Sequence, residues 1–279
     1  MTSGALFRLS KAQTYYSYHG MQDRDADIAL QKYKPKMKWN SKHKILDIGC
    51  GPGDLTYNYL LPLIPSNGEM LGVDISPAMI SYANSNYKDS RLNFEVMDIS
   101  NPKVAEKYKL NFDSVFSFYC LHWIQDQRTT MRNIYSILKP GGETLLIFLA
   151  TSPIYRLYEL LAASPKWSPY MKNYRDVISP YHYSADPVSD IKNLMQSVGF
   201  HVKECFCTPT SYTVPSKQVL YKSIEAVNPF LSLIPEHMLK EYDQDWKEKM
   251  WTSNLCTLLE TNEVTFKYSL ITIYAYKPH

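Results

Sequence analysis

The stretch Ile45-Leu46-Asp47-Ile48-Gly49-Cys50-Gly51-Pro52-Gly53-Asp54 decides the fold. An apolar run ends in three glycines, and a helical pattern follows over residues 53–61. Glycine turns of this kind let backbone approach a ligand closely. Working outward, β-type runs at 44–48, 70–73, 92–96, 115–119 and 144–149 alternate with helical patterns at 77–87 and 127–138. Strands alternating with helices predict a doubly wound, mostly parallel sheet. Pro62 and Pro65 stop the first helix, Pro77 opens the second, and Lys139-Pro140-Gly141-Gly142 closes the third.

After residue 150 the rhythm breaks. Residues 151–185 hold Pro153, Pro165, Pro169 and Pro180 among large apolar groups. A helix over 188–198, a stop at Gly199 and a strand over 200–207 resume the pattern. Residues 209–262 read as amphipathic and helical, and 265–276 alternate as a last strand. The expected organisation is a single domain over 1–279. It has a ligand-binding core at 40–150 and inserted helical segments at 151–185 and 209–262.

The glycine turn does not match a dinucleotide site. That fingerprint is Gly-x-Gly-x-x-Gly, and the third position here is Asp54. A diphosphate favours a helix N-terminus, and a carboxylate placed there repels it. Asp47 adds a second negative charge. Such a loop suits a ligand with an ammonium and a sulfonium, as in S-adenosylmethionine. Asp74, ending the second strand, is placed to accept ribose hydroxyls; it also fits a cap for the helix at Pro77. Asp98, after the third strand, is placed to accept the adenine amino group. The expected cofactor contacts are Asp47, Gly49, Cys50, Gly51, Asp74, Ile75, Asp98, Ile99 and Ser117.

Composition narrows the classes. Net charge is +3 over 279 residues, too small a field to argue for nucleic acid. Residues 1–11 lack an apolar leader core, and the apolar runs at 115–124 and 145–150 are too short to span a bilayer. No stable membrane anchor is expected. Five cysteines with no Cys-x-x-Cys pair fit free thiols in a reducing compartment, hence a cytoplasmic protein. The seven histidines show no metal-ligand spacing, so no metal is expected.

The set Ile45–Gly53, Gly72-Val73-Asp74-Ile75-Ser76, Asp98, Phe112-Asp113-Ser114-Val115 and Leu138-Lys139-Pro140-Gly141-Gly142 resembles the class I methyltransferases. The resemblance implies a seven-stranded Rossmann-like sheet whose last strand is antiparallel, with S-adenosylmethionine at the carboxyl ends of the strands.

A narrower likeness covers most of the chain. Residues 116–128, Asn133-Ile134-Tyr135, Leu146-Ile147-Phe148-Leu149-Ala150, Ile178-Ser179-Pro180-Tyr181, Gln22-Asp23-Arg24-Asp25-Ala26 and Lys36-Met37-Lys38-Trp39 resemble the insect juvenile hormone acid O-methyltransferases. The sequence departs from them in a longer lead-in before Gln22 and at Pro52-Gly53-Asp54. The resemblance implies that Gln22 and Trp123 grip a substrate carboxylate, that of farnesoic acid or juvenile hormone acid. Both are donors without formal charge. An Arg would bind more tightly but quench the nucleophile.

His122 is a candidate base, though a carboxylate, ionised at neutral pH, needs none. A histidine bonded to backbone is the plainer reading. Aromatic residues make up 14% of the chain. Ile154, Tyr155, Leu157, Tyr158, Leu161, Trp167, Tyr170 and Met171 lie in the first inserted segment. Phe230, Leu231, Leu233, Ile234, Met238, Trp246, Met250 and Trp251 lie in the second. Each fits helical core packing, and part of them is expected to line a tunnel for a lipophilic acid. Aromatics left exposed there would serve a homodimer. The alternatives are methylation of another small or fatty acid, a non-catalytic binder of lipophilic acids and, more distantly, a dinucleotide oxidoreductase.

Overall fold

A computed structural model describes residues 12–279. The leaderless reading of residues 1–11 lies outside the described residues. Strands β1 (Lys44–Ile48), β2 (Glu69–Asp74), β3 (Leu92–Val96), β4 (Phe112–Phe118), β5 (Leu138–Thr151), β6 (His201–Val214), β7 (Thr257–Leu258) and β8 (Val264–Tyr276) form one sheet. Its main path runs β3-β2-β1-β4-β5-β8-β6. The pairs from β3 to β5 are parallel, and β8 is antiparallel to both β5 and β6. This is the seven-stranded sheet with a reversed last strand, plus the two-residue β7 pairing with β8.

The helices are α1 (Ala12–Tyr18), α2 (Gly20–Tyr33), α3 (Pro77–Asn86), α4 (Lys103–Lys107), α5 (Gln127–Ile137), α6 (Pro153–Ala162), α7 (Pro187–Val198), α8 (Lys217–Val227) and α9 (Leu239–Thr252). Strand side chains alternate between two cores. Leu146 and Phe148 pack with Met131 and Ile134 of α5 and Ile191 and Met195 of α7. Leu145 and Ile147 face the other way, with Ala26 and Leu30 of α2 and Ile80 of α3. A third cluster joins Tyr155 and Tyr158 of α6 to Leu220 of α8 and Trp246 and Met250 of α9.

Helix ends follow local chemistry. Asp126 accepts from Thr129 N at 2.9 Å and opens α5, and Asp186 accepts from Ser189 N at 3.0 Å and opens α7. Gly199, at φ +116°, ends α7.

Three segments differ from the sequence reading. The helix after the glycine turn winds as a π-turn at Thr56–Leu60 and tightens to a 3₁₀ turn at Leu61–Leu63, where Pro62 cannot donate. Residues 139–142 lie within β5 rather than before it. Leu138 pairs with Phe112, and the register then shifts to Ser114 opposite Glu143. Strand β6 runs on to Val214, paired with β8 throughout, so residues 209–214 are strand and not helix. Pro209 is tolerated because β6 is an edge strand. Among the described residues no helix is long and apolar enough to cross a membrane.

Candidate active site

The strand order reverses between β1 and β4, and a cavity of about 740 Å³ opens at the carboxyl ends of the strands. Its wall includes Gly49 and Gly51 after β1, Asp74 and Ile75 after β2, Asp98 and Ile99 after β3, and His122 and Trp123 after β4. Gln22 reaches the same wall from α2. Sites so distant in sequence meet because parallel strands all end on one edge. Asp47 and Cys50 do not line this cavity. They border a small recess of about 30 Å³ with Gln22, Gly49, Gly51 and Asp54. Ser117 lines neither. Its hydroxyl is fully buried and donates to Ile48 O at 2.9 Å, bracing β4 against β1.

The acidic groups differ in their partners. Asp74 Oδ2 accepts from Gly51 N at 3.1 Å and Oδ1 from Ser76 N at 2.8 Å. Ser76, not Asp74, caps α3. Burial pushes the Asp74 carboxyl up, and the two backbone donors pull against it. Asp98 Oδ1 accepts from Ser100 N at 2.9 Å and Ser100 Oγ at 2.6 Å. Each carboxylate keeps acceptor capacity toward the cavity. Asp47 is buried, with Thr56 Oγ1 donating to it at 2.6 Å. Burial pushes its carboxyl up to about 7; the Thr56 hydroxyl opposes this, while Asp74 and Asp54 add to it.

Asp54 has a counter-ion that the sequence does not suggest. His19 Nε2 lies 2.7 Å from Asp54 Oδ2 and 3.1 Å from Asp23 Oδ1, and its Nδ1 is 2.9 Å from Tyr15 O. Burial works against charging the ring, but the bonds to Asp23 and Asp54 outweigh it and push His19 up to about 10. Asp54 therefore shares one imidazolium with Asp23, which weakens its field against a diphosphate, and Asp47 and Asp74 add to that field. His19, Asp23 and Asp54 are the one group among the described residues with metal-ligand spacing. A charged imidazole between two carboxylates accounts for it.

His122 is placed as a packing partner of Trp123, their ring centroids 4.7 Å apart. It is 1% exposed, and Leu149 N donates to its Nδ1 at 3.4 Å. Burial lowers it to about 3, so the ring is neutral at physiological pH. Of the apolar residues expected to line the tunnel, Ile154, Tyr155 and Met250 line the cavity; Leu157, Tyr158, Trp167, Phe230 and Trp246 pack in the third core cluster.

Other wall residues were not read from the sequence. Tyr15 and Tyr18 come from α1, in the extra lead-in, and Val214, Leu220, Ile224 and Phe266 from β6, α8 and β8. Only the aromatic density before Gln22 hinted at α1. No Lys or Arg lines the cavity among the described residues.

The glycine turn suits a ligand's close approach. Gly51 sits at φ +54°, a backbone conformation that L side chains rarely adopt, and its turn lines the cavity. With Asp74 and Asp98 at the ends of two successive strands on the cavity wall and Asp47 bordering the adjoining recess, this acceptor set fits S-adenosylmethionine.

Comparisons with known proteins agree. The family described as "Methyltransferase domain" matches residues 40–228. A juvenile hormone acid O-methyltransferase of Bombyx mori is 35% identical over 96% of this chain and 98% of its own. One of Drosophila melanogaster is 33% identical over 96% and 93%. Among solved structures, a methyltransferase-like protein of Bacillus halodurans C-125 superposes with a TM-score of 0.57 at 14% identity, covering 90% of this chain and 99% of that one. That last likeness shows the fold. The matches in sequence show the family: the chain belongs to the methyltransferases, within their juvenile hormone acid O-methyltransferase group, and S-adenosylmethionine is its cofactor.

Proposed function

We propose that this enzyme esterifies the carboxylate of a lipophilic sesquiterpenoid acid, farnesoic acid or juvenile hormone acid. One observation carries the reading. A single cavity joins the acidic strand ends to an apolar wall of Ile154, Val214, Leu220, Ile224, Met250 and Phe266, with Gln22 and Trp123 in the same wall. The relatives in Bombyx mori and Drosophila melanogaster are named for juvenile hormone acid.

In this reading Asp74 and Asp98 hold the ribose and adenine, and Asp47 lies toward the ammonium. When bound, the cofactor supplies an electrophilic methyl on a sulfonium. Gln22 and Trp123 orient one carboxylate oxygen and leave the other free to attack. The apolar wall excludes water, so opposite charges approach in a medium that favours their neutralisation. Orientation contributes most of the acceleration. A base is not required, which agrees with a His122 that burial keeps neutral. The reading includes a cytoplasmic location, supported by five free cysteines, and no nucleic-acid partner.

The test incubates the protein with S-adenosylmethionine and a panel of terpenoid, fatty and short acids, and assays methyl esters. Esters from terpenoid acids alone support the proposal. Esters from fatty or short acids only would replace its substrate. Tight acid binding with no ester would make the chain a binder.

Asp47 gives a pH test. With its carboxyl near 7, much of it is protonated at pH 6, and a cationic cofactor favours the ionised form. Binding should therefore release a proton, and affinity should rise with pH below 7, by up to about tenfold per unit, then flatten. Calorimetry at pH 6 in two buffers of different ionisation enthalpy measures the release. Equal heats in both buffers would remove Asp47 from the ammonium site.

A further inference from the structure

We infer that Asp25 is a positioning residue, tying the helix that carries Gln22 to the segment that carries Trp123. The inference rests on the reading of Gln22 and Trp123 as the groups that orient the acid. Asp25 follows Gln22 by three residues on α2, so the two share a helix face. Gln22 reaches the cavity; Asp25 does not line it and is 6% exposed.

The Asp25 carboxylate collects four donors from three elements. Its Oδ2 accepts from the hydroxyls of Tyr119 and Tyr268, each at 2.5 Å. Its Oδ1 accepts from Arg24 Nε at 2.9 Å and Nη2 at 2.7 Å. Arg24 in turn donates from Nη1 to Ser211 O on β6 at 2.9 Å and from Nη2 to Tyr268 on β8 at 2.6 Å. Its guanidinium lies 4.8 Å from the Tyr212 ring centre. The cluster thus joins α2 to the end of β4 and to the paired strands β6 and β8.

Tyr119 is the link to Trp123. It sits at φ +55°, a left-handed conformation rare for a bulky residue, where the chain leaves β4. Its N–H donates to Ile147 O at 2.8 Å, while its hydroxyl is held by Asp25. The turn Leu121–Trp123 begins two residues later. With both ends of Tyr119 fixed, the turn's origin is fixed relative to α2.

Burial alone does not call for this arrangement. Arg24 neutralises Asp25 from the preceding position but reaches only Oδ1; the buried Oδ2 needs donors, yet nothing about burial requires that they come from two separate elements. Two hydroxyls converging on one carboxylate oxygen specify the relative placement of α2, β4 and β8 instead. A shift of an ångström between two orienting donors costs heavily in rate.

The test is a mutant cycle. Steady-state kinetics with farnesoic acid, cofactor affinity by calorimetry and melting temperature are measured for Asp25→Asn and Gln22→Leu, singly and together. Asp25→Asn should lower kcat/KM for the acid by about tenfold, raise KM and leave cofactor affinity within about twofold. In the Gln22→Leu background the same change should cost less than about twofold, because the group it positions is gone. Equal losses in both backgrounds would overturn the inference and leave Asp25 as a stabilising residue only. If Asp25→Asn does not fold, Tyr268→Phe removes one donor and carries the same comparison. Failure of the underlying reading looks different: Gln22→Leu alone would leave kcat/KM unchanged, or the wild type would form no ester.

Discussion

Gly49→Ala should lower the melting temperature by roughly 10 °C and weaken cofactor binding with it. Gly49 sits at φ +75°, where an L-residue costs roughly 1–2 kcal/mol. A Cβ there would lie 2.3 Å from Cys120 Cβ and 2.5 Å from Cys120 Sγ. Overpacking of this kind costs roughly 1–3 kcal/mol. The turn cannot slide away cheaply, because Gly49 N and Cys50 N both donate to Val73 O, at 2.7 and 2.9 Å. The sum is about 2–5 kcal/mol, and each kcal/mol shifts a chain of this size by roughly 2–4 °C. Scanning calorimetry checks the shift. Adding Cys120→Gly removes the overlap but not the backbone strain, so Gly49→Ala should cost about half as much in that background. An unchanged melting temperature would mean that the glycine turn does not hold the geometry described.

The second large effect concerns the acid. A neutral donor to a charged oxygen is worth roughly 1.5–3 kcal/mol, or about ten- to a hundredfold. Gln22→Leu and Trp123→Phe should each lower kcat/KM for the acid by that factor, and together by about a hundred- to ten-thousandfold if they act independently. Cofactor affinity should stay within about twofold, since Asp74 and Asp98, the proposed ribose and adenine acceptors, are untouched. Gln22→Arg gives the opposite signature in one parameter. A guanidinium holds the carboxylate more tightly and blunts its attack, so KM and kcat should fall together. A large loss of cofactor binding in Gln22→Leu or Trp123→Phe would refute their placement on the acid.

Some of the site is local and some is not. Gly49, Gly51, Asp74 and Asp98 lie at or within three residues of the ends of β1, β2 and β3, so strand periodicity and glycine spacing place them before any packing is known. All four line the cavity. Ser117 does not, because its hydroxyl satisfies the Ile48 carbonyl inside the sheet, a partner set by the β1–β4 pairing. Asp54 reads from sequence as a bare negative charge at a helix start. The ion-pair partner it shares with Asp23, His19, stands 35 residues away and reaches it only through the fold. The inserted aromatics show the same limit. Helical periodicity shows which residues are buried, but not whether they face a neighbouring helix or a cavity.

By itself, the glycine turn with its acidic strand ends determined the parallel sheet and the class of cofactor. Those features depend on φ angles, on charge and on the period of side chains along single segments. Tertiary structure decided the rest: which carboxylates are paired, that His122 is a neutral wall residue, and which apolar groups face the cavity. It also decided that Asp25 joins Gln22's helix to Trp123's turn. Each of these depends on side chains far apart in sequence, whose distances are set only when the helices close on the sheet.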